Sequence, residues 1–140
     1  MRKVPEPLYS EVFGLSTELV DAFERGDADA QEDAFVRLRQ LHSLQMASRT
    51  PDPFVSETLA DFTDDPIESA SLYRAAIEQC AYFPGEPLHT KQIGLASSLI
   101  GLGEIEEARG ILLEAIQAAR NLHDTEAIAE AEELLNGAAI

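Results

Sequence analysis

The stretch GLASSLIGLGEIEEARGILLEAIQAAR, residues Gly94 to Arg120, holds no histidine, cysteine or lysine, yet its small and large apolar residues fall at fixed intervals. Leu95, Ala96 and Leu99 share one helical face, Gly103 follows in a turn, and Ala108, Leu112 and Ala115 share a face of the next helix. This is the spacing of two helices packed against each other. Alanine at a crossing leaves room for a leucine opposite, and glycine tolerates the positive φ of a tight reversal. Such a stretch shapes a surface rather than reacting with anything.

Working outward, glycine and proline divide the rest of the chain into helical lengths. Pro5 and Pro7 precede a helix in which Leu8, Val12, Leu15, Leu19 and Phe23 recur at helical spacing, and Gly26 is placed to stop it. A second helix opens on the acids of DADAQED, where the dipole favours them, and carries Ala34, Phe35, Leu38, Leu41 and Leu44 towards Arg49. Pro51 and Pro53 force a break, and a short helix with Phe54, Val55 and Leu59 runs from Pro53 to Phe62. Pro66, behind an acidic cap, opens the next helix, PGEP at 84–87 is a loop, and three more helices follow. No alternation of period two appears. The expected fold is all-α, with about seven antiparallel helices stacked as helix-turn-helix pairs in one domain over residues 1–140.

The pairing in the opening stretch resembles the tetratricopeptide repeat, a helix-turn-helix unit of about 34 residues. Leu95-Ala96, Leu99, Gly103, Ala108, Leu112 and Ala115 stand at its packing positions. Four positions depart from the family: Gln92 replaces a large apolar residue, Leu99 and Leu112 replace aromatics, and Arg120 replaces a closing proline. Ser69, Tyr73 and Ala76 repeat the spacing of Ala108, Leu112 and Ala115, with the FPGEP loop lengthening the period. The resemblance spans about residues 66–135. It implies an α-solenoid over 51–140 ending in a capping helix, after a divergent hairpin over 1–50. A generic helical bundle is the alternative, because any bundle needs small residues at crossings and glycine in turns.

The charge is lopsided: 26 Asp and Glu against 10 Lys and Arg, a formal net charge of −16. Nucleic acid and anionic membranes are bound through Lys and Arg, so both are excluded as expected partners. A protein with a basic surface is attracted. The lone Cys80 precludes an internal disulfide and fits a reducing compartment, no secretory signal is evident, and no apolar run is long enough to span a bilayer; a cytoplasmic, bacterial protein is expected.

Chemistry is scarce. His42, His89 and His123 are far apart and none has a metal-binding spacing, and Cys80 alone is no zinc site. The segment from Asp61 to Leu72 begins like a calcium loop but has Pro66 and Leu72 where glycine and a final glutamate are needed. The acid runs read as solvated helix faces. No catalytic, metal or cofactor residues are expected. Arg37 and Arg39 could bind anions or pair with Glu32 and Asp33.

In a repeat stack the first helix of each pair lines the groove. Thr90, Ile93, Ser97 and Ile100 are then expected to point into it, with His89 and Lys91 at its edge and Glu126, Glu130 and Glu133 on the last helix as further contacts. The expected function is a non-catalytic protein-protein interaction module. Its narrower form is an immunity or inhibitor protein for a cognate toxin, such as a nuclease. Two alternatives stand beside it: a secretion chaperone or adaptor holding a client peptide, and a small helical enzyme using carboxylates near His89.

Overall fold

The glycine and proline punctuation falls at helix ends in the computed structural model, which describes residues 2–138. Among the described residues there are seven α-helices and no strand: α1 Glu6–Arg25, α2 Ala28–Met46, α3 Pro53–Asp61, α4 Pro66–Gln79, α5 Leu88–Gly101, α6 Ile105–Asn121 and α7 Thr125–Ala138. Gly26 ends α1 in the left-handed region at φ 67°, and Gly103 turns α5 into α6 at φ 81°. Four aspartates open helices by accepting a backbone N–H: Asp27 from Ala30, Asp52 from Phe54, Asp65 from Ile67 and Asp124 from Ala127, at 3.0 to 3.1 Å. Pro53 and Pro66 stand at first helical positions, where no N–H is needed.

Three boundaries depart from the sequence reading. α1 begins at Glu6, so Pro7 lies in its first turn rather than ahead of the helix. α2 stops at Met46 rather than Arg49, where Ser48 Oγ turns back to donate to the Gln45 carbonyl at 2.6 Å. α4 runs into an unexpected 3₁₀ turn, Cys80–Tyr82, before the PGEP loop.

Each helix packs on the next in sequence. The odd-numbered helices also touch one another, α1 with α3, α3 with α5 and α5 with α7. Two apolar cores result. Val12, Leu15 and Leu19 of α1 meet Ala34, Leu38 and Leu41 of α2 and Val55 and Leu59 of α3. The second core joins Ala60, Ala70 and Tyr73 to α5, α6 and α7, with Leu95, Ala96, Leu99, Ala108, Leu112 and Ala115 all buried. The small-and-large spacing of the opening stretch is therefore a helix interface. The cores meet at α3, whose neighbours Leu59 and Ala60 belong to different ones, and Leu72 packs against both.

Two apolar assignments are corrected. Phe23 leaves the α1 core at 72 % exposure and Ala22, fully buried, takes its place. After Leu19 the periodicity allows a step of three or of four, and the small residue lets α1 and α2 converge at their Gly26 turn. Leu44, expected on the buried side of α2, is likewise exposed at 71 %.

Candidate protein-interaction face

α5 is flanked by α3, α4, α6 and α7, so little of it is left for solvent. His89, Lys91, Gln92, Ile93, Leu95, Ala96, Ser98 and Leu99 are all buried. The more open line along it is Thr90, Gly94, Ser97 and Gly101, at steps of four, three and four. Of the residues expected in the groove, Thr90 is half-buried and Ser97 exposed. The groove loses Ile93, which lies in the second core, and Ile100 is half-buried against that core. Helical spacing located a face of α5 without revealing that four helices would crowd it.

The expected groove edge is also corrected, because Lys91 and His89 are spent inside the fold. Lys91 is fully buried. Its ammonium reaches Glu57 at 3.0 Å, Glu86 at 2.9 Å and the Pro87 carbonyl at 2.8 Å. Burial opposes the charge, yet the attraction of Glu57 and Glu86 outweighs it and holds the Lys91 pKa above the ordinary lysine value. Glu86 also binds Arg2 at 2.7 Å, and Arg2 grips Asp52 at 2.7 Å while lying over the Phe83 ring. This cage ties the segment before α1, the α3 cap and the PGEP loop to α5. His89 Nε2 meets Asp124 Oδ2 at 2.7 Å, and that bond, with the Ala127 N–H, depresses the Asp124 carboxyl. His89 thereby braces the start of α7.

The open line of α5 faces carboxylates that the sequence did not single out. Thr90 Oγ1 donates to Glu57 Oε2 at 2.8 Å. Beside Gly94 and Ser97 lies a cleft of about 370 Å³ walled by Asp61, Asp64, Pro66 and Tyr73. The Tyr73 hydroxyl donates to Asp61. Asp61 leaves much of its surface open, but its carboxyl is hemmed in by protein, and this desolvation pushes its pKa up to about 6. The Tyr73 hydrogen bond opposes that rise, Glu57 and Glu130 add to it, and Lys91 tempers it. The Tyr73 hydroxyl is in turn driven above the ordinary tyrosine range by burial and by Asp61. Glu126, Glu130 and Glu133 are exposed on one face of α7, as expected, with Ala127 and Ala131 turned inward.

Asp61 and Asp64 also border a second, larger cleft of about 710 Å³ between the α1–α2 hairpin and the α3–α4 turn. Its large apolar lining residues are Leu19, Val20, Phe23, Phe35 and Phe62, and its acids are Glu24, Glu32, Asp61, Asp64, Asp65 and Glu68. The one cation, Arg39, is paired with Glu68 at 2.8 Å rather than with an acid of α2. Arg37 does pair with Asp33 at 3.0 Å, one turn away, and with Glu18 of α1. The only sequence signal for this cleft was the run of acids after Phe62, which reads there as a helix cap.

Among the described residues, no group of three or more His, Cys, Asp and Glu side chains is placed to hold a metal ion, and no helix is long and apolar enough to cross a membrane. No protein-family profile matches the chain, and neither does any curated protein or solved structure.

Proposed function

We propose that the chain is a non-catalytic protein-binding module, acting in the cytoplasm, whose partner presents basic and apolar side chains together. The observation that carries this reading is the larger cleft: an apolar floor with six acids around it and its one arginine already paired. A net charge of −16 adds long-range steering towards a basic partner. We read the helices as a tetratricopeptide-like stack. In support, α5 touches α3 and α7 besides its chain neighbours, the contact that successive repeat units make.

The narrower role is inhibition of a cognate toxin with a basic active site, for which acidic side chains would stand in for substrate phosphates. Capture of bound proteins from the native cell, followed by association kinetics on the purified pair, tests both levels. A basic enzyme whose on-rate falls about tenfold or more between low and physiological salt is the expected result. A partner with an acidic contact surface, or an on-rate indifferent to salt, overturns the reading. The apolar floor favours a second role, an adaptor or chaperone for a client segment. In that case the captured protein binds through an isolated peptide rather than through its folded domain.

A further inference from the structure

α1 carries two apolar stripes, each stepping by four, three, four and three residues. Leu8, Val12, Leu15, Leu19 and Ala22 form the stripe against α2 and α3. One residue further on, Tyr9, Phe13, Val20 and Phe23, with Ser16 interrupting them at its centre, form a second, and it is open: Tyr9 is 43 %, Phe13 58 %, Val20 47 % and Phe23 72 % exposed. Steps of four and three are the spacing at which one helix receives the side chains of another. The upper part of the open stripe is already built as a platform. Tyr9 stacks on Phe13 with ring centroids 5.9 Å apart and on Phe54 of α3 at 5.8 Å. At the other end Val20 and Phe23 join the floor of the larger cleft.

Charge selects the occupant. Glu6, Asp21 and Glu24 run along the solvent side of the stripe, at helix positions adjacent to it, and Glu32 and Asp61 stand across the cleft. The nearby arginines are occupied: Arg25 by Asp21 at 2.9 Å and Asp27 at 3.2 Å, Arg37 by Glu18 and Asp33, and Arg39 by Glu68. A second copy of α1 would bring acid against acid, which disfavours self-pairing. Resting on the proposed protein-binding role, we infer that the open stripe of α1 is the docking seam for an amphipathic helix of another protein. That helix bears apolar residues at heptad spacing and Lys or Arg on its flanks. Its apolar side chains cover Phe13, Val20 and Phe23, and its cations meet Glu6 and Glu24.

The test uses the full chain and two fluorescent synthetic peptides of three heptads, both with leucine at the core positions, one with lysine flanks and one with glutamate flanks. The expected result is saturable binding of the lysine peptide, no binding of the glutamate peptide, and affinity for the lysine peptide about tenfold or more weaker in the Phe13→Ser/Phe23→Ser variant. Both residues are exposed, so that variant should melt with the parent. Equal affinity for variant and parent, equal binding of both peptides, or no binding of either overturns the seam. So does a parent that sediments as a dimer while the variant is a monomer, or a parent that co-sediments with phosphatidylcholine vesicles while the variant does not. If the variant still captures the native partner, the protein-binding role stands and the seam alone is lost.

Discussion

Gly94 and Tyr73 show how a single absent methyl sets the distance between two helices. A Cβ on Gly94 would fall within the Tyr73 ring, whereas one on Gly110, also inside a helix, meets nothing within 4 Å. Alanine is the better helix former at both positions. Gly110→Ala should therefore raise stability by about 0.5–1 kcal/mol. Gly94→Ala should lower it by about 2 kcal/mol, because the buried ring must leave its rotamer. Thermal denaturation of the two variants reads this directly, and melting points moving the same way would contradict it. Asp61 gives a second outcome at this scale. Its folded pKa, about 6, lies above the ordinary carboxylate value, so between about pH 4 and 6 the folded state holds more protons than the unfolded one. Its charge therefore costs stability progressively as pH rises through that window, and the deficit persists at pH 7. Asp61→Asn, which can still accept from Tyr73, should be more stable than the parent at pH 7, with the gap closing near pH 4. Denaturant midpoints across that range measure it, and a gap independent of pH would refute it. Open surface around Asp61 keeps the effect modest. None of this was legible in the sequence. Lys91 and His89 read there as groove-edge groups because their partners Glu57 and Asp124 are 34 and 35 residues away, and periodicity carries no information about such pairs.

At the scale of elements, the sequence was informative where glycine, proline or a capping aspartate sets a boundary. Gly26, Gly103, Pro53, Pro66 and the capping aspartates each act within one turn of the helix they start or stop, so all seven helices were readable. Which side of a helix faces inward was less so. The two stripes of α1 are offset by a single residue, and choosing Phe23 over Ala22 depends on how closely α2 approaches. The cage around Lys91 was beyond reach, since it gathers Arg2, Asp52, Glu57 and Glu86 from separate segments. It leads to a specific expectation. Lys91→Met keeps the stem but leaves Glu57 and Glu86 facing each other without the ammonium, and should cost about 3 kcal/mol. Urea denaturation gives the value. A loss below about 1 kcal/mol would mean that Arg2 alone satisfies Glu86.

For the molecule as a whole, the sequence conveyed the all-helical class and the acid excess. It did not convey where that excess gathers, because the larger cleft is made by α1, α2 and the α3–α4 turn meeting from different parts of the chain. A net charge of −16 on 140 residues opposes its own compaction. Melting temperature should therefore rise between about 0.02 and 0.5 M NaCl, as the Debye length shrinks from about 20 Å to about 4 Å. Calorimetry at fixed pH tests this, and a flat or falling trend would show that the internal ion pairs, which salt weakens, matter more than the repulsion.

The complete enclosure of Lys91 has a practical corollary. The chain has two lysines, and the other, Lys3, is exposed near the amino terminus. An amine-directed reagent meeting the native fold therefore finds its side-chain target at Lys3 rather than at Lys91. Acylation at residue 91 requires the surrounding carboxylates to part first. Its rate, followed by mass spectrometry, becomes an intrinsic clock for how often this interior breathes, and a bound partner that steadies the fold would slow that clock.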